Sequence, residues 1–181
     1  MSHQKLTIPE MNRLTPSQFQ QTPKIPLAVV LDNVRSQHNV GAVFRTADAF
    51  LLHSIALCGI CCCPPNDEIH KTALGAEQTV AWHYYQDTLD AVHELRRQGF
   101  AVYAVEQTHN SLTLEQMRTR LNPGDKIAVI LGHEVFGVNQ QVIDACDGCI
   151  EIPQFGTKHS LNVSVTAGIV LYTLSQLLIS Q

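Results

Sequence analysis

Apolar residues in this chain fall into short unbroken runs separated by amphipathic stretches. Residues 27–31 (LAVVL) read as a buried strand, and the spacing of Val40, Val43, Phe44, Ala47, Phe50 and Leu51 predicts a helix over 40–52. A second strand is expected at 54–57, closed by Gly59 and the Pro64-Pro65 pair. Leu89, Val92 and Leu95, with Gly99 beyond them, predict a helix over 87–97. Strands follow at 100–105 and 126–131, the latter introduced by the turn NPGD at 122–125; then come a short helix at 139–145, a strand at 149–152 and a final helix at 161–179. Strands alternating with helices predict an α/β fold, a mostly parallel sheet covered by helices on both faces. Residues 1–26, with four prolines, read as an N-terminal arm lying on the surface, with a short helix near 10–20 and the domain proper spanning 27–181.

The 181 residues fit one domain, and 45% apolar content excludes disorder. Only 15% of residues are charged, against a usual ~25%. A surface so thinly charged implies that part of it is covered, most simply by a second copy of the chain. The net charge of −4 gives no bulk attraction for nucleic acid, so an anionic partner would meet a local basic patch. The start, MSHQKLTIPEMNRL, has no apolar signal core, which predicts reduced cysteines and a cytoplasmic protein. The apolar stretch 161–179 carries Asn162, Ser164, Thr166, Ser175 and Gln176, and reads as a buried helix rather than a membrane span. Cys58/Cys61 and Cys146/Cys149 are C-x-x-C pairs of the zinc-binding type. One pair closes a strand and the other precedes one, which puts them at opposite sheet edges, so no metal is expected.

Ligand sites in parallel α/β folds gather at the carboxyl ends of strands, and three segments there are unusual. The first, residues 32–41, is polar and opens the helix that carries Arg45, with Asn39 near its N-cap. A capped helix with a surface Arg fits this spacing. However, Arg45 follows Phe44 on the packing side, where a half-buried guanidinium needs an anionic or hydrogen-bonding partner. The second, residues 131–137 (LGHEVFG), has two glycines that let backbone approach a ligand. It is neither a phosphate loop nor a zinc-protease motif, and Glu134 alone fits a capping carboxylate. The third, residues 152–164, opens the last helix with Ser160, Asn162 and Ser164. Ser160 suits an N-cap, while Asn162 on a buried helix needs partners. No G-x-G-x-x-G or G-x-S-x-G is present, which disfavours an ordinary Rossmann site and an α/β-hydrolase.

Taken together, the strings NVGAVFRTAD (39–48), LGHEVFGV (131–138) and Ile152-Pro153 through SLNVSV (160–165) resemble the three ordered motifs of the SpoU-type (TrmH-like) RNA methyltransferases of the SPOUT superfamily. KTALGAE (71–77) resembles the segment between the first two motifs, and His133 departs from the small residue common in that family. The resemblance covers residues 27–179. It implies a C-terminal deep trefoil knot, S-adenosylmethionine bound bent in the knot loops, an obligate homodimer, and methylation of a ribose 2′-hydroxyl in RNA. A tRNA substrate suits a chain without a large appended RNA-binding domain, and ribosomal RNA is the alternative.

By the same resemblance Arg45 is the central catalytic residue, Asn39 positions it or the ribose-phosphate, and Glu134, Ser160 and Asn162 complete the site. Leu131, Gly132, Gly137, Ile152 and Leu161 would contact the cofactor. Arg35, His38, Lys71, Lys158 and His159 are candidates for RNA contact, and each also fits a solvated surface group. Competing readings are a non-catalytic RNA-binding protein on this fold and a flavodoxin-like nucleotide enzyme.

Overall fold

The computed structural model describes residues 3–179; the outermost residues of the expected arm and domain, 1–2 and 180–181, lie outside it. Among the described residues seven strands and seven α-helices follow one another, alternating except where β5 directly follows β4: α1 (Pro16–Gln21), β1 (Ile25–Asp32), α2 (Gln37–Ala49), β2 (Leu52–Cys58), α3 (Asp67–Ala73), β3 (Trp82–Tyr85), α4 (Thr88–Arg97), β4 (Ala101–Val105), β5 (Leu112–Thr113), α5 (Leu114–Met117), β6 (Ile127–Leu131), α6 (Gln140–Asp144), β7 (Gly148–Glu151) and α7 (Val163–Leu178). The strands form one sheet in the order β3-β2-β1-β6-β4-β7-β5. Every pairing is parallel.

Alternate residues of the central strands divide the core in two. Leu27, Val29 and Leu31 of β1, with Ile127 and Val129 of β6, pack beneath α2, α3 and α7. Ala28 and Val30, with Ala128 and Ile130, face α4 and α6, where Ala91, Val92 and Val142 cover them. Strands buried on both faces have no solvent side to alternate with, which is why β1 and β6 read as continuous apolar runs. The final helix returns to the α2 side and packs on α2 and β1. Phe19 of α1 is buried in the same core, so the segment preceding β1 is pinned to the sheet.

Several boundaries differ from the sequence expectation. Helix α2 starts at Gln37, because Ser36 accepts the Asn39 N–H at 3.3 Å and makes the polar first turn helical. It ends at Ala49 rather than 52, since Leu51 turns left-handed (φ 53°) and Leu52 already belongs to β2. The last helix is capped by Asn162, whose side chain accepts from the N–H groups of Ser164 and Val165, so Ser160 is not its cap. Elements α3, β3, β5 and α5 had no expectation. The C-x-x-C pairs sit on β2 and around β7, with β1, β6 and β4 between those strands. Burial pushes the Cys58 and Cys61 thiols up to about 12 and 11, which leaves both as neutral thiols. Cys61 donates to the Leu31 carbonyl and accepts the Val34 N–H. Among the described residues, no group of three or more His, Cys, Asp or Glu is arranged to hold a metal, and no helix is long and apolar enough to cross a membrane.

Candidate functional site

The carboxyl ends of β4, β6 and β7 open into a cavity of about 700 Å³, closed on one side by the start of α7. That volume lies within the ~300–1,000 Å³ range of small-molecule sites. The segment after β6 supplies its floor. His133 and Gly137 exchange backbone hydrogen bonds of 3.1 and 2.9 Å, forming a tight hairpin. A Cβ on Gly132 would lie 2.2 Å from the Gly137 carbonyl carbon, so only glycine allows the two arms to approach. Gly137 itself has φ +69° and lies against the Glu106 carboxylate, which accepts the Val138 N–H at 3.2 Å.

Glu134 ties this hairpin to the first segment. Its carboxylate accepts the backbone N–H groups of Arg35 (3.0 Å) and Ser36 (2.8 Å) and the Asn39 side-chain amide (3.1 Å). Burial pushes the Glu134 carboxyl up, yet the donated hydrogen bonds outweigh it and hold the group below the ordinary carboxylate value. Asn39, buried on α2, accepts in turn from the Asn162 side chain at 3.3 Å. Three segments far apart in the chain therefore meet through one chain of contacts, Glu134–Asn39–Asn162. A second buried carboxylate, Asp32 at the end of β1, accepts from Thr88 (2.6 Å), the Asn33 side chain (2.8 Å) and the Asn139 N–H (3.1 Å), which joins β1 to the starts of α4 and α6.

The expected site residues separate into those the fold gathers and those it does not. Leu131, Gly132, Gly137, Ile152 and Leu161 all line the cavity, as do Glu134, Ser160, Asn162 and His159. Asn39 lies behind the wall, in contact with both Glu134 and Asn162. Arg45 corrects the expectation: it is exposed, does not line the cavity, and has no ion-pair partner among the described residues. Successive helical residues point about 100° apart, so the buried Phe44 turns its neighbour outward. Arg35 and Lys158 are exposed and near the cavity mouth in sequence, while the His159 carbonyl accepts from Gln107 at 2.9 Å. His38 and Lys71 instead converge on Glu68, at 3.0 and 2.5 Å. Glu106, Gln107 and Thr108 line the cavity without having been expected; they directly follow strand β4, so the strand-end rule alone would have found them.

A parallel sheet whose carboxyl ends enclose a glycine-cradled cavity, with three segments after strands joined through Glu134 and Asn39, defines a class of proteins. The model of the SpoU rRNA Methylase family matches residues 26–172, and the chain belongs to that family. The 23S rRNA (guanosine-2'-O-)-methyltransferase RlmB of Neisseria meningitidis is 32% identical over 146 residues, which are 81% of this chain and 56% of that protein. The tRNA (guanosine(18)-2'-O)-methyltransferase of Thermus thermophilus is 32% identical over 147 residues, 81% of this chain and 72% of that one. The chain spans little more than half the length of the RlmB relatives it matches. Among solved structures, an AdoMet-bound rRNA methyltransferase from Sinorhizobium meliloti superposes with TM-score 0.77 at 26% identity, covering 93% of this chain and 62% of that one. The A. aeolicus TrmH/SpoU tRNA modifying enzyme shares the fold, with TM-score 0.76 at 24% identity over 89% and 81% of the two chains.

Proposed function

We propose that this protein methylates a ribose 2′-hydroxyl in RNA, with S-adenosylmethionine as donor and a tRNA as the first substrate to test. The observation that carries the reading is the cavity at the ends of β4, β6 and β7, walled by Leu131, Ile152 and Leu161 and held open by the Glu134–Asn39–Asn162 chain. Its apolar walls and glycine-lined hairpin suit a cofactor with an adenine ring and an amino-acid chain joined through sulfur. The donor supplies an activated methyl group on a sulfonium. Ser160 and Asn162 add polar groups to the same lining.

The residues divide the remaining work. Glu134 already accepts three hydrogen bonds and is held ionised, so it positions the first segment rather than taking the hydroxyl proton. Arg45 is a poor base, because a guanidinium keeps its proton above pH ~12. Its role is to hold the phosphate beside the reacting ribose and to stabilise charge on the 2′-oxygen as the methyl carbon–oxygen bond forms. The hydroxyl proton passes to that phosphate or to water. The C-terminal segments form a trefoil knot in this reading, the segment before β1, pinned to the core at Phe19, acts as a short arm, and the enzyme works in the cytoplasm.

An exposed Arg45 outside the cavity supports a site completed by a second copy. Helix α7, adjacent to α2, leaves Val165, Ile169 and Tyr172 exposed on one face. Two copies joined there as a homodimer would bring Arg45 of one to the cavity of the other and would cover the apolar face.

Titration calorimetry with S-adenosylmethionine and transfer of labelled methyl groups to tRNA and rRNA transcripts, followed by nucleoside analysis for 2′-O-methylation, test the proposal. Failure to bind the donor would end it; transfer to rRNA alone would redirect its substrate.

A further inference from the structure

A single exposed apolar side chain is ordinary, whereas exposed apolar groups gathered beside a cavity mark a binding surface; Phe136 lines the cavity next to the exposed Val135, and Phe155 follows the cavity-lining Gln154. Phe136, at the tip of the hairpin after β6, is 83% exposed, and Phe155, in the segment after β7, is 95% exposed. The hairpin does not need the Phe136 side chain to fold. Its backbone is closed by the His133–Gly137 pair, and His133 Nδ1 accepts the N–H groups of Val135 and Phe136 at 3.0 and 3.4 Å. The ring's recorded aromatic neighbour is the His133 imidazole, 4.9 Å away and tilted by 34°, which leaves its other face open.

The cavity beside Phe136 also carries Glu106, Glu134 and Glu151, but Glu106 and Glu134 are taken up by N–H groups of the protein, whereas Arg35 and Lys158 have no ion-pair partner among the described residues. Phe155 lies in the segment QFGTKH (154–159), which carries Lys158 and His159, and Arg35 is held at the far side of Glu134 through its backbone. Open aromatic faces interleaved with cationic side chains are the pattern by which proteins hold unpaired nucleotides: rings stack on bases while charges follow the phosphates. Flat apolar rings at the mouth of a site for a small cofactor have no such use for the cofactor alone, which the Leu131–Ile152–Leu161 wall already accommodates.

We infer that Phe136 is a stacking platform for an unpaired RNA base next to the methylated nucleotide, with Phe155, which follows the cavity-lining Gln154 in the chain, a candidate second platform. The inference rests on the proposed RNA methylation and adds the residue that would hold the base beside the reacting nucleotide. Phe136 is thereby a positioning residue that sets which nucleotide enters.

The test measures binding of unmodified tRNA transcripts to the full-length protein by filter retention, alongside methyl transfer. Phe136→Ala is expected to weaken RNA binding roughly 5- to 100-fold, the range of one lost base–aromatic stack. Phe136→Trp should retain binding, and Phe155→Ala should weaken it less. The salt dependence should keep its slope in Phe136→Ala and become shallower in Lys158→Ala, because stacking releases no counterions. Unchanged RNA affinity in Phe136→Ala overturns the inference, as does a loss traced to weaker S-adenosylmethionine binding or to dissociation of a dimer. Wild-type methyl transfer with a silent Phe136→Ala would leave the methyltransferase reading standing alone. Phe136-dependent RNA binding without transfer would leave the stacking platform standing without that reading.

Discussion

Two regions around the carboxyl ends of the strands are built differently. The wall around Glu134, Asn39, Asn162, Asp32 and Glu106 is closed: each of these side chains makes hydrogen bonds to backbone or side chains of another segment or loop. The opposite rim, residues 155–161, is exposed throughout, and Arg45 is exposed as well. Polar groups of the first half are satisfied inside the protein, whereas those of the second half face outward. The difference separates what holds the site from what the site holds. Changes in the closed half should be felt by folding, and changes in the open half by catalysis and binding.

The sharpest way to break that division is Arg45→Ala. Removing a group that stabilises charge in the transition state lowers rate by about 10²–10³-fold, and methyl-transfer kinetics should show this loss with an unchanged urea midpoint. Arg45→Lys keeps the charge without the fork and should remain well below wild type. A fall in stability instead would put Arg45 in the closed half.

Glu134→Gln is the converse. Hydrogen bonds to a charged acceptor contribute about 1.5–3 kcal/mol each, less where solvent reaches them, so urea unfolding should show a loss of about 1–3 kcal/mol. The folded carboxyl titrates below its ordinary 4.5, so the ion's stabilisation is fully present above that pH and disappears as pH falls through the folded value. The Gln variant should therefore lose less stability than wild type on acidification below about pH 4.5. An unchanged acid limb would show that the contacts to Arg35 and Ser36 contribute nothing.

Hydrogen exchange sharpens the comparison further. Amides of residues 155–161 should exchange rapidly in the free protein and slow when S-adenosylmethionine binds, while those of Arg35, Ser36 and Val138 should be protected throughout. Smallest of all is Lys158→Ala: stability within about 0.5 kcal/mol of wild type, and a salt slope of RNA binding reduced by about one.

Much of the closed half was legible in the chain. Buried strands announce themselves as apolar runs, and polar strings after 31, 131 and 152 stood out because a strand's end has no packing reason to be polar. Pairing is another matter. Nothing in the spacing of Glu134 and Asn39 shows that one accepts the other's amide, since that contact depends on β1 and β6 being neighbours. Arg45 was misplaced because Phe44 is buried and adjacency along the sequence was read as adjacency in space. Ser160 was a reasonable cap by type, but Asn162 lies two residues nearer the helix and wins the N–H groups of Ser164 and Val165. Strand β3 was invisible for a different reason: Trp-His-Tyr-Tyr at a sheet edge has two exposed members and no apolar run.

The contact between Asn39 and Asn162 spans 123 positions, and those of Glu134 with the first segment span 95 to 99. During synthesis, therefore, the emerging polypeptide can complete its sheet centre well before the pocket exists. Only when the last helix has left the ribosome and settled beside α2 do the scattered asparagines meet. In the proposed enzyme, activity would then double as a certificate of finished folding, since a chain truncated before Asn162 would lack the asparagine that completes the chain of contacts.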